Sequence, residues 1–304
     1  MIYTLTTNPA IDMNVTSDTM SIGVNRTRDA VYTPNGKGLN VSFTLDHYGT
    51  ASTILGFFGG FSGDYIVREA ERVCPVRPVE VPGITRINVF ITTPMGEYKY
   101  PNAGALVDAA HQDEMLGLIG NLDDMECLIV SGSLSSGMDE GFYRRLVDLV
   151  EGKGADLVLD VSHRCLAELV EHRPLLIKPN DEEAAAIFGL DPSSERGIVD
   201  GLRLMHAHGA RNVLLTLGGD GAYFSDGVHV WRANAPKVDV LSTACSGDAT
   251  LASFLSMWLH DRSCVEQALV RAMATGANVA MCAGLGDFAQ VDDLSRQVKV
   301  ERVL

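Results

Sequence analysis

The chain has 304 residues, 46% of them apolar and 21% charged, and a formal net charge of −15. So apolar a chain can bury enough surface to offset its chain entropy, which excludes disorder as its main state. Its acidity argues against the basic face that a nucleic-acid-binding protein needs, though a local anion site stays compatible with it. The six cysteines, Cys74, Cys127, Cys165, Cys245, Cys264 and Cys282, include no CxxC pair. They fit neither a zinc site nor a small disulfide scaffold and read as reduced thiols. The strand-like start MIYTLT has no signal-peptide pattern, and no apolar run reaches the roughly 18 residues of a bilayer span. The expectation is a cytoplasmic protein with neither membrane nor nucleic acid among its partners.

The first apolar run, residues 2–5, ends before Asn8. Residues 13–36, rich in Thr, Val and Asn, then read as antiparallel strands. After a run at 53–55 that stops at Gly56, residues 85–102 read the same way. There Ile87, Val89 and Ile91 alternate with other residues ahead of a Pro94-Met95-Gly96 turn. Apolar runs recur at 128–130, 157–159, 175–177 and 213–215, closing before Ser131, Asp160, Lys178 and Thr216. Helical patterns such as 142–150 and 201–208 lie between them. Uninterrupted runs suit strands covered on both faces. Their alternation with helices predicts an α/β fold with a doubly wound, mostly parallel sheet. Ligands of such sheets bind outside the carboxyl ends of the strands. The site is therefore expected among Asn8, Gly56, Ser131, Asp160, Lys178 with Asn180, and residues 216–218. The two atypical segments form either a small β-sheet lid or an extension of the main sheet's edge. No linker or repeat divides the chain, so residues 1–304 read as one domain with a discontinuous lid from about 13–36 and 85–102.

Four local motifs carry chemistry. In Cys245-Ser246-Gly247-Asp248, small residues precede a helix marked by Leu251, Phe254, Leu255, Trp258 and Leu259, so a helix starts near Asp248. Free amides and the helix dipole favour an anion there. A carboxylate at that point would repel a phosphate unless it has a task, such as taking a proton from an attacking hydroxyl. As a plain helix-start residue it would need none. Asn180 and Glu183 have the spacing of a capping box, and equally of an acidic corner holding hydrated Mg²⁺ through water. In Asn35-Gly36-Lys37-Gly38, glycines flank a lysine ahead of a helix, either to approach an anion or as a simple turn. It is not a P-loop, because the first glycine and the final Ser/Thr of that motif are missing. Gly218-Gly219-Asp220-Gly221 would admit a nucleotide against the backbone, or make a hairpin turn. The first strand is not followed by GxGxxG, which excludes a nicotinamide-dinucleotide fold.

Taken in order, Asn8-Pro9-Ala10-Ile11-Asp12, residues 35–40, Thr85-Arg86-Ile87-Asn88, Ser131-Gly132-Ser133-Leu134, Lys178-Pro179-Asn180 with Glu183, and Cys245-Ser246-Gly247-Asp248 resemble the ribokinase-like PfkB carbohydrate kinases. The resemblance runs from about residue 1 to 290. Val24-Asn25-Arg26, residues 56–61 and Pro236-Lys237-Val238 are similar to its 1-phosphofructokinase and tagatose-6-phosphate kinase branch. The resemblance implies transfer of the ATP γ-phosphate, with Mg²⁺, to a hydroxyl of a sugar phosphate of the fructose 1-phosphate or tagatose 6-phosphate type. Asp248 would be the general base, and the amides of Cys245, Ser246 and Gly247 the anion hole. Asp12, Gly38 and Asn40 would grip sugar hydroxyls, with Asn25, Asn88 and Ser133 also on the substrate side. Lys37 and Arg86 would meet the substrate phosphate, joined by Arg26. Lys178, Thr216, Gly218, Gly221 and Asn278 would lie along the nucleotide, while Asn180 and Glu183 would hold the magnesium region. The β-rich segments would cover the sugar and form a homodimer contact.

Three departures from the family pattern matter. Tyr98-Lys99-Tyr100-Pro101 replaces the branch's TEIN, where Lys99 either adds a cation to the phosphate pocket or is an exposed strand lysine. Cys245-Ser246-Gly247-Asp248 stands where GAGD is usual, which puts a Cβ where glycine would move freely. Asn35 replaces the first glycine of GGKG, a milder change because asparagine tolerates left-handed backbone. The alternatives are a kinase of an unphosphorylated sugar or nucleoside, and a non-catalytic sugar-phosphate or nucleotide sensor. The cations argue against the first, and Asp248, Asn180 and Glu183 against the second.

Overall fold

The structure is a computed structural model that describes all of residues 1–304. In chain order its strands are β1 (Ile2–Thr6), β2 (Ala10–Ser17), β3 (Thr27–Asn35), β4 (Ser52–Phe58), β5 (Val76–Glu80), β6 (Arg86–Thr93), β7 (Gly96–Tyr100), β8 (Cys127–Ser131), β9 (Asp156–Asp160), β10 (Leu176–Ile177), β11 (Val213–Thr216), β12 (Ala222–Ser225), β13 (Val230–Ala233) and β14 (Val300–Arg302). The helices are α1 (Lys37–His47), α2 (Gly60–Ala70), α3 (Ala109–Gly120), α4 (Glu140–Lys153), α5 (Leu166–Leu169), α6 (Asp181–Phe188), α7 (Glu195–His208), α8 (Ser246–Trp258), α9 (Val265–Ala280) and α10 (Val291–Ser295). No helix is long and apolar enough to cross a membrane.

Ten strands form the main sheet in the order β14-β13-β12-β11-β10-β9-β8-β1-β4-β5. From β5 to β11 all neighbours are parallel, and β12, β13 and β14 add an antiparallel edge. Side-chain alternation divides each inner strand between two cores. Leu5, Leu128, Val130 and Leu159 face the core built with α3 to α7. Ile2, Cys127, Ile129 and Val158 face the one built with α1, α8, α9 and α10. Both faces are covered, which is why the strands read as unbroken apolar runs. The expected doubly wound, mostly parallel sheet is the fold observed.

One strand runs further than its apolar pattern predicts. β4 continues through Gly56 to Phe58, with all seven residues buried, so Gly56 lies inside the strand while still level with Thr6 at the end of β1.

The atypical segments form a separate four-stranded sheet, β3-β2-β6-β7, and not an extension of the main sheet. Its outer pairs, β2–β3 and β6–β7, are antiparallel as expected. Its central pair, β2–β6, is parallel, with Asp12 opposite Asn88. The cause is topological: β2 follows β1 and β6 follows β5, so both leave the same edge of a parallel sheet in the same direction. The chain moves outward from β1 to β4 and β5, then returns to the other side of β1 with β8. The resulting crevice is the expected ligand position in such sheets, and Asn8 bonds to Ser133 across it at 3.3 Å.

Candidate active site

Two helix starts and one strand end meet at this crevice. The N-terminus of α1 lies directly on β1, because a side chain at Gly38 would collide with the Leu5 carbonyl and Thr6. That close approach brings Lys37 and Asn40 to the carboxyl edge of the sheet. Helix α8 begins at Ser246, two residues before the position its apolar spacing predicts. Its N-cap, Cys245, sits in left-handed backbone at φ 64° and ψ −13°. A non-glycine residue there carries about 1–2 kcal/mol of strain. Cys245 thus adopts the backbone for which glycine is suited. The amides of Cys245, Ser246 and Gly247 have no backbone or side-chain acceptor, so they are free to meet an anion.

Asp248 lies in the first turn of α8, buried, and its Oδ2 accepts from Asn40 Nδ2 at 2.8 Å. Asp160, the last residue of β9, is buried and receives Lys178 Nζ at 3.1 Å and Lys37 Nζ at 3.4 Å. Burial pushes Asp160 up, but the two ammonium groups outweigh it and leave the carboxyl below its ordinary range. For Asp248 burial wins. Together with the Asp160 charge it overrides the pull of Lys37, Asn40 and Lys178, and lifts the carboxyl to about 6. A buried carboxyl near 6 is still largely ionised at neutral pH and can accept a proton. Burial, with Asp248 and Asp12 nearby, pushes the Cys245 thiol up to about 12, so it stays protonated.

A cavity of about 510 Å³ opens between this helix start and the small sheet, walled by Asp12, Asn14, Asn35, Asn40, Phe90 and Cys245. Residues 283–286 close one side. On the other side of Asp160, Asn180 and Glu183 satisfy each other as a complete capping box, with bonds of 2.7 and 3.0 Å. Thr216 bridges to Asn180, and Gly218 begins the turn between β11 and β12. Gly221 closes that turn at φ 102°, where a Cβ would strike the Ala233 carbonyl. The hairpin reading of this motif therefore holds, and its backbone faces the same edge as Asp160.

A profile of the pfkB family carbohydrate kinases matches residues 6–291. The chain belongs to that family. It is a phosphotransferase with an alcohol group as acceptor, and the family implies ATP as donor. The kinase is 45% identical over 302 residues to the D-tagatose-1-phosphate kinase of Klebsiella oxytoca, covering 99% of each chain. It is 32% identical to the 1-phosphofructokinase of Bacillus subtilis over 100% of both chains. Escherichia coli phosphofructokinase-2, solved with substrates and products, superposes with a TM-score of 0.89 at 22% identity, covering 97% of this chain and 98% of that one. The last likeness concerns the fold alone.

Not all residues singled out in the kinase's sequence converge. Lys37 is held by Asp160, while Arg86 donates to the Asn8 carbonyl at 2.9 Å, and no contact joins the two. Asn25 closes its own turn, donating to the Ser21 carbonyl at 2.7 Å, beside an exposed Arg26. Lys99 pairs with Glu97 at 2.9 Å. Asn88 donates at 2.8 Å to Asp12, which lies in the cavity wall. Asn278 uses its Oδ1 on the Gln290 amide and leaves Nδ2 buried without a protein partner. Asp160 was visible in the sequence only as one strand end among six. A carboxylate closing a fully buried run was the signal for it.

Proposed function

We propose that the kinase transfers the γ-phosphoryl group of ATP to the free primary hydroxyl of a ketohexose 1-phosphate, with D-tagatose 1-phosphate the preferred acceptor. The observation that carries this reading is the buried Asp248, its carboxyl raised to about 6, beside three free amides at the helix start that borders the cavity through Cys245. The acceptor hydroxyl loses its proton to Asp248 as its oxygen bonds to phosphorus and the bond to ADP breaks. The free amides of α8 and the ammonium groups of Lys37 and Lys178 stabilise charge on the phosphoryl oxygens, a contribution often worth about 10²–10³ in rate. Asp12 and Asn88 hold sugar hydroxyls, and Arg86, two residues before Asn88 on β6, is assigned to the acceptor's phosphate. The names of the full-length relatives support a 1-phosphate acceptor.

The donor set around Asp160 fits hydrated Mg²⁺. Its Oδ2 is buried without a partner, and no group of three acidic, His or Cys side chains could hold an ion directly. Asp160 and Glu183, with Asn180 behind it, would hold the ion through water, and it would neutralise triphosphate charge. The small sheet exposes Tyr32 and Tyr100, and we assign that face to a second copy of the chain. The free thiols suit the reducing cytoplasm.

ADP release from MgATP across ketose and aldose phosphates, with the free sugars alongside, tests the reading. D-tagatose 1-phosphate is expected to give the highest kcat/KM. Turnover of free sugars alone would overturn the acceptor class. Binding of phosphosugars without any turnover would make the protein a sensor.

A further inference from the structure

Asn35 stands where the family pattern has glycine, and it is bonded at both ends. Its Nδ2 donates to Asp12 Oδ2, while its Oδ1 accepts from Asn40 Nδ2 at 2.9 Å and from the Gly36 amide at 2.6 Å. The orientation is dictated by chemistry: a carboxylate can only accept and a backbone amide can only donate, so the side chain has one satisfying pose. Asn40 spends its other amide hydrogen on Asp248 Oδ2 at 2.8 Å. The second oxygen of Asp12 is taken by Asn88 at 2.8 Å. A continuous relay therefore runs from the small sheet to the first turn of α8, and Asn35 is its central link.

We propose that Asn35 is a positioning residue that locks Asp12, on the acceptor side of the cavity, to Asn40 and Asp248, on the reacting side. This rests on the roles given above to Asp12 and Asp248. With both oxygens anchored, Asp12 presents its remaining lone pairs in one geometry. With Asn35 accepting one hydrogen, Asn40 is turned so that the other supports ionised Asp248. A glycine could do neither. Hydrogen-bonded networks of this kind are cooperative, so removing the middle member loosens both ends.

The test is steady-state kinetics of the wild type, Asn35→Gly and Asn35→Asp. The acceptor is whichever of D-tagatose 1-phosphate, D-fructose 1-phosphate and the two 6-phosphates the wild type uses best. Glycine is usual at this position in the family, so Asn35→Gly folds, and a thermal melt checks this. Asn35→Gly is expected to lower kcat/KM for the acceptor 10- to 100-fold while KM for MgATP stays within twofold. The acid limb of its kcat/KM profile is expected to move to higher pH, since Asp248 loses oriented support from Asn40. Asp160, Lys37 and Lys178, the charged groups facing Asp248, remain in place. Asn35→Asp keeps the shape but cannot donate to Asp12 and adds a like charge between the two carboxylates, so it should be worse than glycine. Three results would overturn the proposal: Asn35→Gly within twofold of wild type, Asn35→Asp equal to wild type, or KM for MgATP rising in step with the acceptor's. The roles it rests on fail separately. Near-wild-type turnover by Asp248→Asn removes the base, and use of the 6-phosphates alone removes the 1-phosphate acceptor, while the Asn35 comparison still reads out.

Discussion

Replacing Asp248 with Asn should make the protein more stable and nearly inactive. Burial and the neighbouring Asp160 raise the Asp248 carboxyl from 3.8 to about 6 in the folded chain. Below 3.8 it is protonated whether folded or not, and it costs nothing. Above 6 it is ionised in both states, and holding the charge in the fold costs about 3 kcal/mol, at about 1.4 kcal/mol per pH unit between the two values. The penalty is complete at pH 7.5 and falls to roughly half at pH 5. Asparagine keeps an oxygen for Asn40 and removes the charge. For a chain of this length about 3 kcal/mol corresponds to a Tm rise of about 5 °C. Paired melts of wild type and Asp248→Asn at pH 7.5 and pH 5, with kcat at each, provide the check. A Tm gain at pH 7.5 that shrinks at pH 5, with kcat down by at least about 10² to 10⁴, is expected. An unchanged or lower Tm at pH 7.5, or a gain independent of pH, would refute the electrostatic reasoning.

Asp160→Asn should lower stability by about 3–5 kcal/mol in urea at pH 7, because buried Lys178 loses its carboxylate. Asp160→Asn with Lys178→Met should recover most of that loss. The Cys245 thiol, near 12 against an ordinary 9, should react with iodoacetamide at pH 8 about 10³-fold more slowly than an unhindered thiol, read by peptide mass spectrometry. Gly38→Ala should cost about 1–3 kcal/mol by pushing α1 off β1. It should also raise the acceptor KM, because Asn40 moves with the helix.

Most of the main sheet was legible because a strand covered on both faces is mainly apolar; the runs at 128–130 and 157–159 are wholly so, and β1 is but for Thr4, whose hydroxyl is satisfied by Ser42, and its terminal Thr6. The start of α8 and the Asn180–Glu183 box were legible because caps have a local code. Three features were not. The parallel pairing of β2 with β6 joins residues more than seventy positions apart, and nothing local in either strand encodes it. The left-handed Cys245 runs against its own residue preference and is held by its surroundings. Lys37 reads equally well as a ligand for substrate phosphate, and only the fold puts Asp160 within its reach.

The buried polar atoms that lack protein partners gather at the carboxyl edge of the sheet. There are five: Thr6 Oγ1, Ser131 Oγ, Asp160 Oδ2, Ser246 Oγ and Asn278 Nδ2. Thr6 pairs in register with Ser131, and Ser131 with Asp160, so three of the five form one row across the ends of β1, β8 and β9. The fourth begins α8, and the Asn278 amide nitrogen lies near Gly286 on the cavity wall. Each such atom costs about 1–3 kcal/mol if it stays unsatisfied, and chance would scatter them through the interior. Their gathering at one edge, beside two lysines and a raised carboxyl, is what a fold selected only for stability would remove. Under the proposed function the Ser246 hydroxyl and the Asn278 amide would meet ligand oxygens and Asp160 Oδ2 a magnesium-bound water, so the cost of these atoms and the stability that Asp248 costs fall on one site.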